Sequence, residues 1–250
     1  FGRMPANICL LSYFTFLYSF CFKPFLWRDS HAKGICWKLP PHWTLKLKRN
    51  DARYYLDSKK NLYHNRIAKL LEVADVLALL NERIEKYFDL LLVDEVQDFA
   101  GHDFNLLASL ANVNLSMLLV GDFFQHTFDT SRDGVVNKGL HNAYESYIGR
   151  FKKMGLTVDC QTLLKSYRCS PSISAFISER LGIEMNSHRT DETEIHVVDE
   201  TTDIQQLHQC SRTVKLFYKE HYKYNCFSRN WGDSKGEDQY GDVCVVLNRT

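Results

Sequence analysis

Tyr87-Phe-Asp-Leu-Leu-Leu-Val-Asp-Glu-Val-Gln-Asp98 is the stretch that decides how this chain is read. Its apolar run, Leu90 to Val93, ends in two adjacent carboxylates, Asp94 and Glu95. That pattern suits a buried parallel strand delivering acidic side chains to the carboxyl edge of an α/β sheet, where such sheets bind ligands. One carboxylate can hold Mg²⁺ through oxygen, and the other can orient or deprotonate a water aimed at a phosphate. Farther along, Ser116-Met-Leu-Leu-Val-Gly-Asp-Phe-Phe-Gln125 repeats the design with an apolar strand, a Gly-Asp turn and a polar amide. Two such strand ends in one chain point to nucleotide hydrolysis.

The 250 residues suffice for one large or two small domains, and 45% apolar with 24% charged residues is an ordinary globular composition. The net charge of +1 supplies no global field toward nucleic acid or membrane, so any polyanion site must be a local patch. Eight cysteines form no CxxC pair and ten histidines show no metal-ligand spacing beside them. Reduced thiols in a cytoplasmic protein are therefore expected, ahead of disulfides or zinc. Phe1 in place of Met, and the apolar run Val243 to Leu247 just before Thr250, are read as cut ends. Ala6 to Phe22 is seventeen residues without a charge, the short limit for a membrane span. Its Asn7, Ser12, Thr15 and Ser19 favour a buried strand, Ile8 to Leu11, followed by an aromatic helix from Thr15. No membrane partner is expected.

Elsewhere, the period of Leu70, Val73, Leu77, Leu80 and Ile84 predicts one helix over Leu70 to Lys86. Helices are also expected at Asp103 to Leu110, toward Phe151, at Pro171 to Arg180 and at Asp203 to His208. Strands are expected at Met117 to Val120, Thr162 to Leu164, Glu194 to Val198, Thr213 to Tyr218 and Val243 to Leu247. His42 to Lys69 is the one basic region, with Lys or Arg at 46, 48, 49, 53, 59, 60, 66 and 69 interleaved with aromatics. A solvated face is its default reading, and contact with a DNA backbone its functional one. The polar stretch 186–193 is the candidate linker.

In order along the chain, these stations resemble the superfamily 1 DNA helicases of the UvrD/Rep type. Leu91 to Asp98 is similar to their Walker B signature, DExxQD, and Val120 to Phe128 to their GDxxQxxY motif. Leu164-Lys-Ser-Tyr-Arg-Cys-Ser170 resembles the "NYRS" motif. Trp231 to Tyr240 with Val243 to Leu247 is similar to the "SKGLEF" loop and strand, and Ser12 to Phe16 more weakly to the "TFHS" element. The resemblance implies an α/β, P-loop NTPase (RecA-like) fold: a partial first lobe over 1–185 with a small basic insertion at about 24–69, then part of a second lobe over 194–250. The chain departs from the family in lacking GxxxxGK[ST] and the last arginine motif, in Phe128 for Tyr, in Thr130 where a Trp often stacks on DNA, and in one extra residue before Asp238.

Carried over residue by residue, Asp94 ligates Mg²⁺ and Glu95 polarises the attacking water. Gln125 senses the γ-phosphate, and Arg168 supplies positive charge in the transition state. Gly236 and Asp238 contribute to nucleotide binding, while Ser12, Phe14, Phe128 and Lys235 contact DNA. The cofactors implied are ATP and Mg²⁺, and the partners single-stranded or duplex DNA and a nuclease. The bland readings stand beside these: a carboxylate pair capping a helix, a turn glutamine, a surface arginine, core phenylalanines and a solvated hairpin. The reading reached is an ATP-dependent DNA helicase or translocase core. Its alternative is a nucleotide-gated DNA-binding subunit that does not unwind and works beside a nuclease in repair or phage defence.

Overall fold

Helices and strands alternate along the chain to give a mixed α/β fold, and every strand pair named below is parallel. The computed structural model describes residue 5, residues 7–237 and residues 239–247. The chain divides into two compact units, Phe1–Val158 and Asp159–Thr250. The expected linker, 186–193, thus falls inside the second unit.

In the first unit, α1 (Tyr13–Thr15) starts at an N-capping Ser12 and runs through the π-helical Phe16–Phe22 into α2 (Lys23–Ser30). The expected strand at Ile8 to Leu11 does not form. Among the described residues no strand pairs with that segment, and Ile8, Leu10 and Leu11 are exposed. β1 (Gly34–Cys36) pairs with β2 (Asn61–Tyr63), and α3 (Ala52–Tyr55) lies between them in sequence. The predicted single helix over Leu70 to Lys86 is two, α4 (Ile67–Val73) and α5 (Leu77–Tyr87). They part where Asp75 takes the left-handed conformation (φ 56°), which short polar side chains tolerate better than most.

β3 (Leu90–Val93) leads to α6 (Gly101–Leu110), and β4 (Ser116–Leu119) returns beside β3 in the register Leu90↔Ser116 to Val93↔Leu119. α7 (Tyr144–Lys153) closes the unit. One core packs Leu17, Phe22, Tyr54, Leu62, Ile67, Leu71, Leu80 and Ile84 together, with Leu91 and Met117 against it. A second gathers Val96, Phe99, Phe104, Leu107, Tyr147 and Phe151, with Val93 and Leu119 against it. The expectation that β3 is buried on both faces is therefore corrected. Leu91 and Val93 face the cores, whereas Leu90, Leu92 and Leu118 are half or more exposed.

The basic region is corrected in part as well. Arg66 and Lys69 are buried, not solvated, and both pair with Asp133. Arg66 Nε donates to Asp133 Oδ1 at 3.1 Å, its Nη1 donates to Thr44 Oγ1 at 2.9 Å, and the Tyr54 hydroxyl and Lys69 ammonium share Asp133 Oδ2. Burial pulls both cations below their ordinary pKa while Asp133 holds them up. Neither is available to a phosphate.

In the second unit, β5 (Lys165–Ser166) pairs with β6 (Asn186–Ser187) across α8 (Pro171–Leu181). α8 begins on Ser170, whose hydroxyl accepts from Ile173 N, has Pro171 in its first turn, and stops at Gly182 (φ 66°). α9 (Thr201–Gln209) precedes a three-stranded sheet in which β7 (Thr213–Phe217) lies between β8 (Ser228–Asn230) and β9 (Asp242–Val245). Two expectations are corrected here. Thr162 to Leu164 is turn and coil before β5, and Glu194 to Val198 is exposed coil that pairs with no strand among the described residues. Among the described residues no helix is long and apolar enough to cross a membrane.

Candidate functional site

The carboxyl ends of β3 and β4 are held side by side by backbone bonds that outlast the strands. Val120 N–H donates to Val93 O at 2.8 Å, and Val96 N–H donates to Val120 O at 3.0 Å. Between those two bonds the chain leaves β3 through Asp94 and Glu95, both exposed. The Glu95 N–H donates to Asp94 Oδ1 at 2.8 Å. Glu95 itself is left-handed (φ 54°), a conformation that costs a non-glycine residue on the order of 1 kcal/mol or more. The Val96–Asp98 turn then carries the chain into α6.

Gln97 ties the two strand ends together. Its side chain is 0% exposed. The amide Nε2 donates to Glu95 Oε2, and Oε1 accepts from Asp122 N–H at 3.0 Å. Asp122 in turn takes Gln125 Nε2 on Oδ2 at 2.7 Å and Phe124 N–H on Oδ1 at 3.0 Å. A continuous hydrogen-bonded relay therefore runs from Glu95 through Gln97 and Asp122 to Gln125. A buried amide that satisfies both donor and acceptor in this way rigidifies its surroundings, since a broken link would leave a polar group unpaired.

Gly121 makes the relay possible. A Cβ there would stand 2.4 Å from Gln97 Oε1 and 2.8 Å from Val96 Cγ1. Gly121→Ala is expected to push Gln97 off Asp122 and to destabilise the protein by about 1–3 kcal/mol, the usual range for overpacking. Chemical denaturation measures it, and an unchanged midpoint would mean that the relay adapts without loss.

The main-chain carbonyl of Gln97 is shared too. His126 Nδ1–H and His141 Nε2–H both donate to it at 2.9 Å. The two imidazoles stack with centroids 3.7 Å apart and planes 7° from parallel, next to Asp129. Burial, and then the neighbouring His126, push the His141 imidazole below its ordinary value. In α6, Asp103 is fully buried and burial raises its carboxyl to about 7. Thr130 and Tyr13 lie near enough to counter that rise in part, but neither hydroxyl reaches hydrogen-bonding geometry with the Asp103 oxygens.

Each of the other described site residues sits in its own local setting. Ser12 spends its hydroxyl on capping α1, bonding Thr15 Oγ1 at 2.8 Å. Phe14 packs edge-on against Trp37 and His64, with ring centroids 4.9 and 5.6 Å away. Phe128 is 50% exposed on the loop after Gln125. In the second unit, Arg168 is exposed, with its N–H bonded to Ser166 Oγ and its carbonyl accepting from Arg189. Lys235 and Gly236 lie in the loop between β8 and β9, where Gly236 is left-handed (φ 82°). Asp238 lies outside the described residues. Sequence reading missed Gln97 as the hub, and it missed the grouping of His126, Asp129 and His141. No family model matches the chain, and a search of curated proteins finds no match.

Proposed function

We propose that this chain is part of an ATP-dependent DNA motor of the superfamily 1 helicase type, with a RecA-like P-loop NTPase fold, coupling ATP hydrolysis to movement on single-stranded DNA. The observation that carries the reading is the relay from Glu95 through Gln97 and Asp122 to Gln125. In such a motor, the residue that activates water and the residue that senses the γ-phosphate must respond to one another. A rigid polar link between the two strand ends is a physical means of doing so.

Asp94 fits a Mg²⁺ ligand: it is a solvent-facing carboxylate at a strand end, the hard oxygen donor such a cation takes. The bound ion would neutralise phosphate charge there. Glu95 would orient and deprotonate the attacking water, and Gln97 fixes the angle of that carboxylate. Gln125 would pass loss of the γ-phosphate into the loop bearing Phe128, whose exposed ring suits stacking on a base, worth about 1–3 kcal/mol. Arg168 would supply the planar cation for the transition state.

The triphosphate is less well provided for. Phosphoryl transfer in P-loop enzymes needs a backbone cradle and a Lys on the β- and γ-phosphates, and residues 1–250 contain no GxxxxGK[ST]. Residues 1–250 alone are therefore expected not to release phosphate from ATP, with or without single-stranded DNA. The same chain extended upstream through a phosphate loop is expected to turn over and to be stimulated by DNA. Robust turnover by residues 1–250 would show the nucleotide site to be mislocated. Nucleotide-dependent DNA binding by the extended chain without strand displacement would favour the non-unwinding subunit instead.

A further inference from the structure

We propose that His126, Asp129 and His141 form a binding site for a first-row divalent metal ion of the Zn²⁺ class. The argument starts from hydrogen positions. A carbonyl oxygen only accepts, so the two bonds to Gln97 O require hydrogens on His126 Nδ1 and His141 Nε2. Those bonds fix both tautomers, leaving the lone pairs of the neutral rings on His126 Nε2 and His141 Nδ1. Both nitrogens lie near the same carboxylate oxygen, Asp129 Oδ1, at 3.2 and 4.0 Å.

One ligand atom from each residue lies within 4.8 Å of the other two. Ligands held at about 2.0–2.1 Å on a tetrahedral Zn²⁺ stand about 3.3–3.4 Å apart. The 3.2 Å edge already matches; for both lone pairs to meet one ion, the 4.0 Å edge must shorten and the stacked, near-parallel rings must splay apart. Three inward-facing acceptors repel one another unless a cation sits among them. The cation is either a proton on one ring or a metal ion that satisfies all three. Two imidazoles and one carboxylate are the donor set of zinc and its neighbours, rather than of Mg²⁺ or Ca²⁺.

The outer partners are in place as well. Metal-bound histidines usually donate their other N–H to a carbonyl or carboxylate, which is what Gln97 O receives here. Arg132 holds the second oxygen of Asp129. Asp129 and both imidazoles are mostly but not fully buried, so solvent reaches the group. The three ligands come from the loop after β4 and from the segment just before α7. An ion there would staple the loop that carries Gln125 and Phe128 to the Gln97 backbone. This geometry is independent of the nucleotide reading, so either can fail alone.

The test is titration of chelator-treated residues 1–250 with Zn²⁺ and Co²⁺, together with thermal unfolding. Binding at one ion per chain is expected, with a raised Tm and Co²⁺ d–d bands free of thiolate charge transfer. His126→Gln and His141→Gln should each weaken binding by at least the roughly 10–100-fold typical of losing an outer partner. His141→Cys should restore binding and add a thiolate band, which a merely structural role for His141 would not produce. The exposed Cys9 and Cys160 are competing soft ligands. A thiolate band in the unsubstituted chain, equal binding by the His126→Gln/His141→Gln double variant, or no stoichiometric binding by the folded protein would each overturn the site, leaving a shared proton as the occupant.

Discussion

Glu95→Gln, placed in a chain extended upstream until it hydrolyses ATP, is expected to cut DNA-stimulated phosphate release by about 10²–10⁴-fold while nucleotide still binds. The substitution is nearly isosteric, and a glutamine carbonyl can still accept from Gln97 Nε2, so the relay to Asp122 and Gln125 persists. What the substitution would remove, if Glu95 activates water as proposed, is the charge that would pull a proton from water as the phosphoryl group transfers. That interaction matters mainly in the transition state, so kcat falls and ground-state binding does not. The left-handed backbone at Glu95 sharpens the argument. Strained backbone clusters at sites where a side chain must be aimed, and here it sits at a strand end beside a second carboxylate. Stopped-flow phosphate release and fluorescent-nucleotide binding separate the two effects. Full turnover in the variant would make Glu95 a structural residue at the entry to the Val96–Asp98 turn.

Which of these features the sequence could show follows from the range of the forces involved. β3 and β4 were legible because an apolar run ending in charge is a local signal, and their adjacency follows from the common habit of parallel α/β sheets. The ends of α8 were legible for a similar reason: Ser170, Pro171 and Gly182 act on their own helix. By contrast, Ile8 to Leu11 has the composition of a strand but finds no neighbour to pair with among the described residues, and pairing is what makes a strand. Arg66 and Lys69 read as part of a basic face, yet their partner Asp133 lies more than sixty residues away in sequence. Nothing local announces that pairing.

Gln97 was read only as part of the DExxQD signature, and its burial as the hub escaped notice for a different reason. Patterns of burial are read from apolar residues, and a glutamine at 0% exposure runs against that rule. Its signal was present in Gly121, read as half of a Gly-Asp turn. The structure shows that glycine to be needed for close approach as well, because no Cβ fits between β4 and the Gln97 amide. The two histidines stack although fifteen positions separate them, and no short spacing motif covers such a gap.

Asp103→Asn is expected to stabilise the protein strongly at pH 8 and hardly at all near pH 4. Asp103 is wholly buried in α6, and desolvation raises its carboxyl from an ordinary 3.8 to about 7. The folded state therefore holds a proton that the unfolded chain releases. Well below pH 3.8 the group is neutral in both states and costs nothing. As pH climbs through the window from 4 to 7, the unfolded chain ionises freely while the folded protein resists, so stability is lost as pH rises and levels off above 7. A displacement of about three pH units at 1.36 kcal/mol each corresponds to on the order of 4 kcal/mol at the plateau. Asparagine fills the same volume, never ionises, and removes that dependence, although its amide still requires a partner from Tyr13 or Thr130. Urea denaturation of both proteins at pH 4, 6 and 8 reads the effect directly. Parallel pH profiles for the two proteins would show that Asp103 stays ionised in the fold, balanced by the hydroxyls of Tyr13 and Thr130 or by a water among them.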